Sequence, residues 1–207
     1  MAMNGVKGEK AEHEGLRSAT KIAFFTLGCK VNQFDTEGLI TESREHGYEV
    51  VDFNGPADIY VLNTCTVTKE AERKARQLMR RVKRKYPDAY LVVTGCFAQT
   101  SAEVLTALPE VDLVIGVAGR GRLFQILEEE LPLHSKNQVL PWTKADGFEL
   151  FAPEFSGQTR AFLKIQDGCQ SYCSYCRIPF ARGPVRSLPS AQVLKEIERL
   201  LAFGYKE

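Results

Sequence analysis

The sequence predicts a doubly wound α/β domain with a parallel sheet, on three observations. Short apolar runs alternate with amphipathic stretches from residue 21 to about 132. The runs are nearly continuous in apolar residues, as strands buried on both faces require. Helical patterns fill most of the separations between these runs, which implies parallel pairing with helices covering the sheet.

The elements follow in order. KIAFFT, from Lys21, reads as the first strand, and Asp35 is expected to cap a helix through about His46, ended by Gly47. YEVVDF and DIYVLN read as the second and third strands. Lys69 to Tyr86 is a helix whose apolar positions, Ala71, Ala75, Leu78, Met79 and Val82, fall on one face, and Pro87 stops it. AYLVVTG is a fourth strand, followed by a helix capped by Ser101 and running to Leu108. VDLVIG is a fifth strand, and Arg120 to Leu131 a last helix. Residues 133–158 then break the pattern with Pro141, Pro153 and scattered Gly and Ser, and read as a linker. RAFLKIQDG, from Arg160, begins a new strand that runs into a cysteine loop, and Ser190 to Phe203 is an amphipathic helix. One strand and one helix cannot bury a core, so 159–207 is expected to be the start of a second, truncated domain.

Composition narrows the classes of function. The chain has 207 residues, 44% hydrophobic and 26% charged, which is ordinary for a globular protein. A net charge of +1 leaves affinity for nucleic acid to a local patch. The one candidate is Lys69 to Lys85, with nine basic and two acidic residues, where Arg73, Arg76, Arg80 and Arg84 lie off the apolar stripe. The alternative for that helix is a plain solvated surface. No run approaches the roughly 18 apolar residues of a membrane span. Residues 1–20 begin polar and charged with no apolar signal core, and read as a disordered tail. No membrane association and a cytoplasmic location are therefore expected.

The six cysteines carry the chemistry. Nothing marks the chain for export, so free thiols serving a metal are favoured over disulfides. Cys169, Cys173 and Cys176 crowd one loop. Cys29, Cys65 and Cys96 are distant in sequence, yet each follows a strand in a similar setting: FFTLGC, VLNTC and VVTGC. In an open parallel sheet the carboxyl ends of the strands lie along one edge, where ligands bind, so these three thiols are expected to meet. The helix N-termini that follow should lower their pKa values. Small buried core residues are the competing explanation, weakened by three equivalent placements. Soft thiolates select zinc, copper(I) or iron–sulfur clusters. Structural zinc closes with four ligands, and His13, His46 and His134 lie far from both groups in sequence. A 4Fe–4S cluster on three protein thiols keeps one iron open, which a reactive cluster needs.

Cys169-xxx-Cys173-xx-Cys176 after a strand resembles the radical S-adenosylmethionine superfamily, although a zinc knuckle also fits the spacing. TLGCKVNQFDTE, LNTCTVT, TGCFAQ and IPFARGPVRS together resemble the methylthiotransferase family within it, from about Ile22 onward. The Cys-Lys-Val-Asn-Gln wording at Cys29 is most similar to the branch acting on N6-threonylcarbamoyladenosine beside the tRNA anticodon. The isopentenyladenosine branch reads closer to Cys-Gln-Met-Asn and the ribosomal-protein branch closer to Cys-Pro-Lys-Asn. Arg177 departs from the hydrophobic residue expected after the third cysteine.

The resemblance implies a second-cluster domain over 21–132, then, from 159, the first β/α unit of a partial β/α barrel. It implies two 4Fe–4S clusters, one on Cys29, Cys65 and Cys96, the other, radical-generating, on Cys169, Cys173 and Cys176. Tyr175 would lie near the adenine of S-adenosylmethionine. The implied activity is transfer of a methylthio group to C2 of the modified adenosine in tRNA, consuming two S-adenosylmethionines, with flavodoxin or ferredoxin as electron donor. Most of the barrel and the RNA-binding domain would lie outside these residues, so the chain alone is expected to be inactive. A non-catalytic iron–sulfur or zinc module is the rival from another class.

Overall fold

The computed structural model describes residues 20–66, 68–129, 135–143, 147–148, 153 and 160–207. The expected tail and most of the expected linker lie outside the described residues. The centre is a five-stranded, all-parallel sheet. Its strands are β1 (Lys21–Thr26), β2 (Glu49–Val50), β3 (Ile59–Thr64), β4 (Tyr90–Gly95) and β5 (Leu113–Val114), in the order β2-β1-β3-β4-β5. The order reverses between β1 and β3, so a switch point opens at their carboxyl ends.

The helices are α1 (Lys30–Glu45), α2 (Lys69–Lys85), α3 (Cys96–Thr100), α4 (Ala102–Thr106) and α5 (Leu123–Glu129), the last entered through a 3-10 turn at Arg120–Arg122. Strand pleating sends successive side chains to opposite faces. Ile22, Ile59, Val61, Val92 and Leu113 pack with Phe34 and Leu39 of α1 and with Leu123, Phe124 and Leu127. Ala23, Tyr60, Leu62, Leu91 and Val93 pack with Ala75, Met79 and Val82 of α2, Phe97 of α3 and Leu105 of α4. The sheet is thus covered on both faces, the doubly wound arrangement expected from the continuous apolar strands.

Several expected boundaries move. Helix α1 begins at Lys30 with Cys29 as its N-cap, so Asp35 is not a cap but a fully buried residue inside the helix. The helix expected from Ser101 to Leu108 starts after Ser101 but stops at Thr106; a separate short helix, α3, directly precedes it, and the Ser101 side chain makes no cap bond. The second strand shrinks to two residues, and its paired length is limited to Lys21 and Ile22 of β1. Part of the expected linker extends the sheet: the Val114 amide donates to the Lys136 carbonyl at 2.8 Å, and Gln138 donates back to Val114 at 2.8 Å.

Beyond residue 160 the expected long strand is confined to β6 (Gln166–Asp167), which pairs antiparallel with β7 (Arg186–Ser187). Between them lie the cysteine loop and α6 (Ile178–Arg182), and α7 (Ser190–Ala202) follows. This segment borrows a core. Leu200 joins the cluster on the α1 face, with Ala161, Phe162 and Tyr205 packed against it. Ile165, Leu194 and Leu201 stay exposed.

Charge fixes the segment in place. Asp35 is fully buried and accepts from Lys164 Nζ at 2.8 Å and from an Arg182 terminal nitrogen at 3.0 Å, with an Arg120 nitrogen at 3.1 Å. Asp167 pairs with Arg182 at 3.1 Å and Lys164 at 3.4 Å. Burial works against the Asp35 charge, but Arg120, Lys164 and Arg182 outweigh it and hold the carboxyl well below the usual range.

Two outcomes test this fold. Met79→Ala empties a fully buried position under β3 and β4 and should cost about 2–5 kcal/mol in urea unfolding. Asp35→Asn strands several buried cations and should cost about 3–5 kcal/mol at neutral pH. Because the folded-state pKa of Asp35 is depressed, its stabilisation is present above the unfolded value of about 4 and drains away as pH falls below it. The stability gap between wild type and Asp35→Asn should therefore narrow below about pH 4, and a gap constant down to about pH 2 would contradict the ion cluster.

Candidate metal centre

The three separated cysteines stand at the carboxyl ends of three adjacent strands. Cys29 follows β1 as the N-cap of α1, Cys65 follows β3 directly, and Cys96 follows β4 as the first residue of α3. Gly95 makes the last placement possible. Its φ of +94° suits glycine, and a Cβ there would run into the Asn63 side chain and the Thr64 backbone. β3 and β4 can therefore approach closely just where Cys65 and Cys96 emerge.

A polar network braces this edge. Asn32, fully buried, donates to Asn63 Oδ1 at 3.1 Å and to the Thr64 carbonyl at 3.2 Å, and the Cys29 thiol reaches Asn32 Oδ1 at 3.5 Å. Asn63 donates in turn to the Asn32 carbonyl at 2.9 Å and to Thr36 Oγ1 at 3.0 Å. Cys29 is exposed, while Cys65 and Cys96 are 7% and 2% exposed. Burial pushes the Cys96 thiol up; Arg182 opposes that as a charge and as a donor, and Cys65 and Cys29 add to it. The expected lowering by a helix N-terminus does not prevail at Cys96, because desolvation of the thiolate outweighs it.

The second group sits on the loop between β6 and α6. The Cys176 amide donates to the Cys173 carbonyl at 2.9 Å, and the Cys169 amide to the Gly183 carbonyl at 3.0 Å. Gly168 has a φ of +79°, and a Cβ there would strike the Gly183 and Pro184 backbone, so the two ends of the loop close on glycine. Hydrogen bonds from Ser171 and Gln170 pull the Cys169 thiol down. Cys173 is exposed, and Tyr175 is 89% exposed. Arg177, at the N-cap of α6, is exposed, so a charged residue fits there.

The two groups share one end of the molecule, since α3 packs against α6. Among the described residues no three His, Cys, Asp or Glu side chains are drawn together around a single ion. Three soft sulfur donors per group suit a thiolate-bound cluster, which spreads its ligands wider than one ion does. Asn32, Asp167, Arg182 and the ion-pairing role of Asp35 escaped the sequence reading. The signal for Asn32 and Asp35 was polar residues at core-facing positions of α1, where Asn32, Asp35, Thr36, Leu39 and Ser43 share the buried stripe; Asp167 and Arg182 had none.

Helix α2 keeps its basic surface, with some charges paired. Arg73 meets Glu70 at 2.6 Å, Arg80 meets Glu110 at 3.5 Å, Lys83 meets Asp112 at 2.6 Å, and Arg76 lies over the Phe97 ring. Arg81 and Arg84 are exposed. Among the described residues no helix is long and apolar enough to cross a membrane.

Comparison with known proteins gives these placements a context. Residues 21–116 match the model of a family described as uncharacterized protein family UPF0004. The threonylcarbamoyladenosine tRNA methylthiotransferase MtaB of Bacillus subtilis is 45% identical over 191 residues, 90% of this chain and 42% of that protein. Its namesake in Aquifex aeolicus is 42% identical over 197 residues, 90% of this chain and 46% of that protein. The tRNA-2-methylthio-N(6)-dimethylallyladenosine synthase of Bacillus pumilus is 34% identical over 202 residues, 94% of this chain and 39% of that protein. The chain thus spans less than half the length of these relatives. Over about nine-tenths of its length the chain is similar to tRNA methylthiotransferases, with higher identity to these two threonylcarbamoyladenosine enzymes than to the dimethylallyladenosine synthase.

Proposed function

We propose that the whole protein is a radical S-adenosylmethionine enzyme that adds a methylthio group to C2 of N6-threonylcarbamoyladenosine in tRNA. The observation that carries this reading is the pairing of two three-cysteine groups at one end of the fold. The names of the relatives, which specify tRNA methylthiotransfer, support it. Their greater identity, against the dimethylallyladenosine relative, favours the threonylcarbamoyl substrate.

In this reading Cys29, Cys65 and Cys96 hold one 4Fe–4S cluster, and Cys169, Cys173 and Cys176 the other. When bound, the clusters supply the electron that cleaves S-adenosylmethionine and the sulfur that is transferred. The chain's own residues do the rest. Gly95 and Gly168 permit the close backbone approaches from which Cys96 and Cys169 emerge. Burial of Cys65 and Cys96 keeps water from one side of the first group, while exposed Cys173 and Tyr175 leave the second open to S-adenosylmethionine. Exposed Arg81 and Arg84 on α2 offer positive charge to tRNA phosphates. Flavodoxin or ferredoxin is the expected electron source. The domain division is 21–132 for the first group and 159–207 for the start of the second, joined by 133–158.

Three measurements check this. Anaerobic reconstitution of the full-length protein should give about eight irons per chain with equal sulfide; stoichiometric zinc without iron would end the enzyme reading. Cys173→Ala should abolish reductive cleavage of S-adenosylmethionine, whereas Cys65→Ala should keep that cleavage and lose the thiolated product. Mass spectrometry of tRNA nucleosides from cells lacking the gene should show loss of the methylthio form of N6-threonylcarbamoyladenosine. Loss of methylthio-isopentenyladenosine instead would keep the chemistry and overturn the substrate.

A further inference from the structure

Arg182 belongs to the segment that carries the second cysteine group, yet its guanidinium lies among the residues of the first. One terminal nitrogen donates to Asn32 Oδ1 at 3.0 Å and to Asp35 Oδ2 at 3.0 Å. The other donates to Asp167 Oδ2 at 3.1 Å and Oδ1 at 3.3 Å. Asn32 Oδ1 is also the acceptor reached by the Cys29 thiol. Arg182 ends α6, which packs against α3, the helix that Cys96 opens. Arg182 is 4% exposed, and Asp167 stands two residues before Cys169. One side chain therefore touches the surroundings of both thiol groups.

We propose that Arg182 is a positioning residue for the centre on Cys29, Cys65 and Cys96, setting its electronic poise from the neighbouring segment. The inference rests on the cluster-binding reading of those cysteines. A fixed cation beside sulfur ligands stabilises the more negative, reduced state of an iron–sulfur centre and so raises its potential, and hydrogen bonds to the sulfurs act in the same direction. Arginine suits the task because its planar fork bonds several acceptors at once and keeps its charge when buried. Here Asp35 and Asp167 hold the fork, so the charge stays fixed beside Asn32 and the Cys29 thiol that reaches it. Lysine would bring a charge without the fork, because its ammonium cannot span Asn32, Asp35 and Asp167 together.

The test uses the full-length protein with Cys169, Cys173 and Cys176 all changed to Ala, so that the first centre alone holds iron. Arg182→Met and Arg182→Lys are compared with that parent by iron content, electron paramagnetic resonance and redox titration. The parent should hold about four irons. Arg182→Met should move the midpoint to lower potential and alter the spectrum of the reduced centre, and Arg182→Lys should recover part of the shift. An unchanged midpoint in Arg182→Met at full iron content overturns the inference. Should Arg182→Met fail to fold, Arg182→Lys decides alone: a midpoint and spectrum identical to the parent's would overturn it, and an altered spectrum with a displaced midpoint would support it. A parent that binds no iron would instead sink the cluster reading of the first group and this inference with it.

Discussion

Asp35 sits fully buried near the carboxyl edge of the sheet, and Arg120, Lys164 and Arg182 share its charge. Two of those cations come from beyond residue 160, so the carboxylate holds the second segment against the first. Burying a lone carboxylate is prohibitive, and burying these cations without it is equally so. Each side of the contact therefore needs the other. A buried ion cluster of this kind contributes less to net stability than an apolar contact of the same size, but it fixes register and orientation. Here the orientation brings α6 onto α3 and the Cys169 loop to the end of the sheet that bears Cys29, Cys65 and Cys96.

The fold class was legible because continuous apolar strands leave few alternatives. Runs such as VVTG and YVLN, buried on both faces, admit a parallel sheet and little else. The placement of Cys29, Cys65 and Cys96 followed from that sheet, since a residue just past a strand has only one edge to occupy. Helix boundaries were less legible where a cap residue had a competing use. Asp35 looks like an N-cap by residue type, but its side chain is consumed by three cations from distant parts of the chain, and local rules carry no information about such partners. Ser101 does stand at the N-cap position of α4, but its backbone, at φ −146° and ψ 40°, also closes the short α3, and its side chain makes no cap bond.

The second segment was the least legible. RAFLKIQDG has a strand's composition, yet only Gln166 and Asp167 pair. Lys164 is drawn inward to Asp35, and Ala161 is tied to the chain end through the Glu207 carbonyl at 2.9 Å. Tertiary contacts here override local β propensity. Arg182 was invisible for the same reason. Nothing local in IPFARG marks it, and only the fold shows that it reaches Asn32, 150 positions earlier in the chain. Its bonds to Asn32 and Asp167 turn what was a sequence motif into a link between the surroundings of the two cysteine groups.

The central claim is that this end of the molecule holds two separate iron centres, each on its own three cysteines. An anomalous difference map at the iron edge, from crystals of the anaerobically reconstituted full-length protein, tests it most directly. Two peaks are predicted, one enclosed by Cys29, Cys65 and Cys96 and the other by Cys169, Cys173 and Cys176, with Arg182 beside the first. A single peak shared by cysteines of both groups, or signal at the zinc edge alone, would contradict the account.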